Sequence, residues 1–294
     1  MIDRLRLLVI GAHPDDAEYK AGGLAALYKS RGFDVMFVSV TDGGAGHHLV
    51  FGAPLAARRR VEATAAAATL GLEYQVWDHP DAHLEPNLVR REQVIRLIRT
   101  FRPDLVLTHR PNDYHPDHRA ASQLVQDAAY LLTVPAVCPE TPHLPRDPVI
   151  AYLSDDFTKP CPFEPTVLLD IATVWEAKMS LLHAHTSQFY EWLPYNTGTL
   201  HEVPADDESR RGWLSKKMTV LSAALAERFR DRLVSAYGKE HGSAVHLVEA
   251  FEPCEYGAPL DHNARTRLFP FEESQEDCKV VGMTRENSSA DDTD

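Results

Sequence analysis

Short apolar runs of strand type recur along the first half of the chain, each separated from the next by a longer stretch of helical pattern. The runs predict strands at 5–12, 34–41, 74–78 and 104–109, and the stretches between them predict helices over 17–30, 54–70 and 87–101. Such alternation implies βαβ units with right-handed crossovers, and so an α/β fold with a mostly parallel sheet and helices on both faces. In the common doubly wound order 3-2-1-4-5 the first and fourth strands are neighbours, and ligands bind outside their carboxyl ends at the switch point. Farther along, a helix is expected over 117–132 and a Pro-rich, mostly loop segment over 134–165, with strand-like Val149–Leu153 inside it. A strand at 166–171 and a helix over 173–184 follow. An aromatic-dense segment at 187–195 is expected near a pocket or an interface, a further helix lies within 208–237, and 246–251 reads as a late strand.

The polar residues that interrupt this pattern concentrate at two strand ends. The first strand runs into His13-Pro14-Asp15-Asp16, and the fourth is followed, after a loop, by His115-Pro116-Asp117-His118. Pro fits the first position of a helix, where its missing N–H costs nothing, so His13 is expected as a cap residue. Asp15 and Asp16 then fall in the first turn, where the macrodipole favours negative charge. The second cluster opens its helix with the same design. His13 and Asp16 stand three apart and can point at one ion. Catalytic zinc takes three protein ligands, often two His and a carboxylate, and leaves a position open for water. His13, Asp16 and His118 supply that set. Asp15 and His115 remain beside it, a carboxylate able to act as general base and an imidazole able to stabilise an oxyanion or protonate a leaving amine. Asp117 is then a candidate to hold the tautomer or charge of His115. Helix capping would explain either cluster alone, but not two of them at switch-point strand ends with three ionisable residues in each.

Composition narrows the class. With 294 residues the chain can bury the core of one domain, here 1–271. The remaining 272–294 hold eight acidic residues against Lys279 and Arg285 and are expected to be a disordered tail. No run of 18 apolar residues exists, so no membrane span is expected, and the first residues lack a signal-peptide layout, which makes cytoplasmic the expected location. A net charge of −13 argues against a nucleic-acid partner. Cys138, Cys161, Cys254 and Cys278 are scattered with no C-x-x-C pair, which argues against a cysteine zinc site or a disulfide framework. Gly43-Gly44-Ala45-Gly46 is not G-x-G-x-x-G and follows the second strand, which argues against a dinucleotide site.

The paired motifs His13-Pro14-Asp15-Asp16 and His115-Pro116-Asp117-His118 resemble the PIG-L (LmbE-like) family of zinc-dependent N-acetylglucosaminyl deacetylases. Gly22-Gly23, Thr41-Asp42-Gly43, Arg59 with Glu62, and Lys178 followed by His185-Thr186-Ser187-Gln188 extend the resemblance over about 7–188. It implies a Rossmann-like three-layer fold with the metal site at the C-terminal strand ends. It also implies Zn2+, or another divalent metal such as Fe2+, on His13, Asp16 and His118, with Asp15 as general base and His115 stabilising the intermediate. Arg59 and Asp81 match polar positions that bind sugar hydroxyls in the family; a solvated helix face shared with Arg58 and Arg60 is the alternative for Arg59. The chain departs from the family where Ala17-Glu18 stands in place of a Glu directly after the two aspartates, and the insert at 138–165 and everything from Phe189 onward lie outside the matching motifs. His47-His48 form either a mobile loop over the site or a surface turn. His183 and His185, near a helix end, fit capping or core packing at least as well as catalysis.

The expected function is hydrolysis of an N-acetyl or N-acyl group on an amino sugar or glycoconjugate, by attack of water activated by the metal. The partner is then a small N-acylated molecule, with no nucleic acid and no membrane span, and with a homo-oligomeric state left open. One rival is a metal hydrolase of another amide or an ester. The other is a non-catalytic sugar-binding protein stabilised by its metal, against which Asp15 speaks, because a structural ion needs no free carboxylate beside it.

Overall fold

The computed structural model describes residues 4–271. Strands β1 (Arg6–Gly11), β2 (Asp34–Ser39), β3 (Glu73–Val76), β4 (Leu105–Thr108), β5 (Val149–Leu153), β6 (Val167–Asp170) and β7 (Val248–Pro253) form one sheet in the order β3-β2-β1-β4-β5-β7-β6. The first five strands are parallel, and β7 runs antiparallel to both β5 and β6. The expected 3-2-1-4-5 order is therefore present, with a two-strand extension that carries the late strand between β5 and β6.

Period-two packing explains why β1 is apolar throughout. Leu7 and Val9 enter one buried cluster with Phe37, Leu105 and Leu107, while Leu8 and Ile10 enter another with Met36, Val38 and Val106. The first cluster is closed by α1 (Asp16–Ser30) and α2 (Ala53–Leu70), the second by α3 (Leu88–Phe101) and α4 (Pro116–Ala129). Helix α5 (Trp175–Ala184) joins the first layer through Met179, Leu181 and Leu182. After a π-helical turn at Ser187–Trp192 come α6 (Leu193–Asn196), α7 (Asp207–Arg228), α8 (Arg230–Tyr237), α9 (Lys239–Ala244) and α10 (His262–Leu268). Ala226 and Leu233 seat α7 and α8 on Leu168 and Val248 of the extension.

Helix α1 departs from the expectation. It begins at Asp16, not at Pro14, so His13 is in the loop rather than capping the helix. Asp15 precedes the helix with φ +123, a conformation rare for a residue with a side chain. The loop is drawn tight because the Asp16 carboxylate turns back to accept the His13 N–H at 2.7 Å. A Cβ on Gly11 would lie 2.7 Å from the Asp16 Cβ, so only glycine lets the helix start that close to the strand end. Helix α4 follows the expected design: His115 is its cap residue, Pro116 opens it, and His115 Nδ1 accepts the Asp117 N–H.

Two buried arginines order the Pro-rich segment. Arg99 donates to the carbonyls of Leu131, Leu132, Val134, Val137, Cys138 and Thr141. Arg110 bridges Glu252 and Asp155 and donates to the carbonyls of Phe157, Cys161 and Pro162. The acidic tail expected from Glu272 lies outside the described residues, as does Cys278; Cys138, Cys161 and Cys254 are free. Among the described residues no helix is long and apolar enough to cross a membrane.

Candidate metal centre and active site

The switch point between β1 and β4 delivers both His-Pro-Asp clusters to one place. The His13 ring lies 4.5 Å from His115 and 5.2 Å from His118, centroid to centroid. Three overlapping groups have donor atoms within 4.8 Å of one another: His13, His115 and His118; Asp16, His109 and His118; and His13, Asp81 and Asp117. The expected set His13, Asp16 and His118 is not one of these groups, but Asp16 stands between the two histidines through different oxygens, Oδ2 3.5 Å from His13 Nδ1 and Oδ1 3.6 Å from His118 Nε2. Donors about 2.0–2.2 Å from one tetrahedral ion are separated by roughly 3.3–3.6 Å, so this spacing suits two ligands of the same cation. The donors are imidazoles and carboxylates only, a set that fits a divalent cation with a position left over.

The electrostatics agree. Burial alone would lower the His13 pKa, but Asp117, Asp16 and Asp81 outweigh it and raise it well above the ordinary value. A proton on His13 thus balances carboxylates that a cation would otherwise neutralise. Asp16 is held well below the usual carboxylate range: burial opposes this, and His118 and His109 overcome it. Its neighbour Asp15 moves the other way, up to about 7, through burial and then the Asp16 charge. The Asp15 N–H donates to Tyr74 Oη at 3.3 Å, the Tyr74 hydroxyl donates to Glu18 at 3.2 Å, and Glu18 lies 2.6 Å from His185 Nε2. His185 is therefore both the C-cap residue of α5, its N–H donating to the Leu182 carbonyl, and a buried partner of Glu18. The motif pieces around it interlock as well, since Glu62 accepts from Thr186 Oγ1, Ser187 N and Ser187 Oγ.

Other expected residues occupy different places from those anticipated. The Asp117 carboxylate does not reach for His115; it accepts the Ala82 and Leu84 N–H groups and lies 3.3 Å from His13 Nε2. Burial followed by His13 and His118 lowers the His115 pKa, so its ring is neutral near pH 7. Asp81 is spent internally, accepting from Ala45 N and Gly46 N and lying 3.0 Å from His13 Nε2. Arg59 is not on a solvated face: it is 1 % exposed and donates to the Gly46 carbonyl. Both residues brace the 42–47 turn, where Gly43 at φ +66 has no room for a Cβ beside Arg59 and Pro14. His47 is buried in that turn, accepting from Leu49 N and Val50 N, with Glu191 2.8 Å from its other nitrogen.

Two residues that the sequence did not single out belong to the cluster. His109 stacks on His118 at 3.9 Å, lies 3.1 Å from Asp16 Oδ2, and has its pKa pushed down to about 4 by burial and then by His118. Asp113 approaches His118 Nδ1 at 3.0 Å and accepts the His115 N–H. The local signal for Asp113 was weak, an Asp two residues before His115 in a polar loop; His109 stood at a predicted strand end with no partner nearby in sequence.

The centre opens into a cavity of about 940 Å3 whose lining includes Asp15, Asp16, His109, Asp113 and His118, together with residues from β5, α6 and α7.

Comparison with known proteins decides the family. Residues 8–129 match the family model described as PIG-L, GlcNAc-PI de-N-acetylase. The diacetylchitobiose deacetylase of Thermococcus kodakarensis is 31% identical over 208 residues, 66% of this chain and 75% of that one. The chain belongs to the PIG-L family. This PIG-L protein is also 28% identical over 196 residues to the 4-oxalmesaconate hydratase of Pseudomonas putida, covering 64% of this chain and 76% of the relative. The N,N'-diacetylchitobiose deacetylase structure from Pyrococcus horikoshii shares its fold, with a TM-score of 0.65 at 23% identity over 86% of this chain and 85% of that one. The family match and the donor cluster together make this PIG-L protein a metal-dependent deacetylase, a hydrolase of an amide C–N bond.

Proposed function

We propose that this PIG-L protein removes an N-acetyl group from an amino sugar or glycoconjugate, with Zn2+ held by His13, Asp16 and His118. Fe2+ takes the same donor types. When bound, such a cation polarises an acyl carbonyl and makes water acidic enough to attack near neutral pH. Asp15 is the general base. The observation that carries this reading is the divergence of two adjacent carboxyls. Asp16 is ionised among His13, His109 and His118, whereas Asp15, held out of the helix beside them, also lines the cavity and, before a cation binds, has its pKa raised to about 7, so that it can take and give up a proton. As the water oxygen bonds to the acyl carbon, its proton passes to Asp15; as the C–N bond breaks, that proton goes to the leaving nitrogen. His115, neutral and beside His13, stabilises the oxyanion between those events. Asp117 supports this by anchoring His13 to the 82–84 backbone. Asp81 and Arg59 contribute through the 42–47 turn rather than by gripping sugar hydroxyls.

The test is release of free amine from N-acetylglucosamine and N,N'-diacetylchitobiose by the Zn2+-loaded protein, beside ultraviolet detection of water addition to 4-oxalmesaconate. Amine release that disappears with a chelator and returns with Zn2+ is expected. Hydration of the unsaturated acid with no amine release from any N-acetyl compound would overturn the reading and favour a hydratase, in line with the Pseudomonas relative.

A further inference from the structure

The backbone at Asp15 is held in part from outside its own loop. With φ +123 and ψ −25 the residue occupies a region rare for residues with a side chain, and such conformations persist only where their surroundings over-determine them. On its C-terminal side the chain supplies the tethers itself. The Asp15 carbonyl accepts the Tyr19 N–H at 2.9 Å, and the Asp16 N–H donates to the His13 carbonyl at 3.3 Å. On its N-terminal side the tether is a side chain from another element, since the Asp15 N–H donates to Tyr74 Oη at 3.3 Å. Rotation about N–Cα is φ itself, so fixing the direction of that N–H fixes where the carboxyl-bearing Cβ points. Tyr74 is in turn well anchored. It stands on β3 opposite Phe37 of β2, with the two rings edge to face at 5.8 Å. Its hydroxyl proton goes to Glu18 at 3.2 Å, because a carboxylate can only accept, and this leaves a lone pair for the Asp15 N–H. Glu18 is fully buried, and its other oxygen lies 2.6 Å from His185 Nε2. Burial would lower the His185 pKa, but Glu18 outweighs it and raises it, so the carboxylate sits against an imidazolium. The described residues that line the cavity include neither Tyr74 nor Glu18 nor His185, so the three act on Asp15 and not on a substrate bound there.

We propose that Tyr74 is a positioning residue for the reaction: its hydroxyl, oriented by the Glu18 and His185 pair, holds the Asp15 backbone in the conformation that sets the carboxyl beside the metal ligands. The role of Tyr74 rests on the general-base reading of Asp15 and adds to it a residue from an edge strand that neither His-Pro-Asp motif contains. Tyr74→Phe removes the hydroxyl and keeps the ring that packs on Phe37. The Asp15 N–H then loses its acceptor, and the peptide is free to turn toward a commoner φ.

Two measurements test the role. The first needs no metal and no turnover: amide hydrogen exchange of the metal-free protein, followed residue by residue by NMR. In Tyr74→Phe the Asp15 amide should exchange roughly tenfold faster than in wild type, while amides of the central strand β1 keep their protection and show that the variant folds. The second is amine release from N,N'-diacetylchitobiose by the Zn2+-loaded protein. Tyr74→Phe should lose about ten- to a hundredfold in kcat, the cost of a misplaced catalytic group, with KM and bound Zn2+ as in wild type. In an Asp15→Asn background the same change should cost almost nothing further, because the group it positions is already gone. A merely structural tyrosine would cost the same factor in both backgrounds. That result, wild-type kcat in Tyr74→Phe, loss of its Zn2+, or an Asp15 amide exchanging as slowly as in wild type would overturn the positioning role and leave Asp15 as base. Faster exchange at Asp15 in Tyr74→Phe, with no amine release even from wild type, would instead sink the hydrolase reading and keep the hold of Tyr74 on Asp15.

Discussion

Asp15 and Asp16 are adjacent in the chain yet sit in opposite electrostatic surroundings, and the backbone between them is the cause. The φ of +123 at Asp15 keeps it out of the helix that Asp16 opens, so the two carboxyls, both on the cavity lining, have different partners, and that of Asp16 turns back toward His13 and His109. Because Asp15 holds its proton more tightly folded than unfolded, its ionisation destabilises the metal-free protein. The penalty begins above the ordinary carboxylate pKa near 4 and is complete once pH passes the folded value of about 7. Metal-free Asp15→Asn should therefore gain stability over metal-free wild type as pH rises from 4 to 7, by up to roughly 4 kcal/mol, and hold that margin above. Denaturant melts of both proteins across that range check it, and a margin independent of pH would show that Asp15 is not held protonated. The residue types and spacing made this pair legible in the sequence, since two carboxyls after one His-Pro ask for different tasks. The φ was not legible, because Gly11 permits it from four residues away. Arg59 and Asp81 matched polar family positions, but only the fold shows that the 42–47 turn consumes both.

Among the elements, strands and helices with a repeating apolar pattern were readable to within a few residues, because burial on the two faces of the sheet dictates that pattern. The segment at 134–165 has no such pattern, since buried arginines and not apolar side chains organise most of it. Arg110 is the instructive case: its guanidinium joins Glu252 of β7 to Asp155, Phe157, Cys161 and Pro162 beside the cavity. Replacing it by Met leaves two largely buried carboxylates without their partner, which costs about 3–5 kcal/mol. Arg110→Met should lower the midpoint of urea unfolding accordingly, and Arg110→Lys should recover only part, because an ammonium lacks the planar fork. A midpoint unchanged in Arg110→Met would show that the segment is held by other contacts. The π-helical turn and α6 were legible only as an aromatic-rich stretch near a pocket, and Leu193 and Pro194 do line the cavity.

For the whole molecule, the β3-β2-β1-β4-β5 order makes the function possible. It sets strand ends about a hundred residues apart in sequence side by side, and every donor of the three candidate groups lies at or beyond the end of β1, β3 or β4. That much followed from the alternating pattern and the echoed motif. The antiparallel β7 between β5 and β6, which places α7 over the cavity, did not, because nothing local to 246–251 says where a late strand will pair. In the proposed mechanism Asp16 holds the metal while Asp15 moves the proton. Elemental analysis of purified wild type, Asp15→Asn and Asp16→Asn, paired with amine release from an N-acetyl substrate, measures this directly. Asp16→Asn should be metal-poor and inactive, whereas Asp15→Asn should keep near-stoichiometric metal and turn over about 10²–10⁴-fold more slowly than wild type. A folded Asp15→Asn protein that lacks metal, or one with wild-type turnover, would contradict the account.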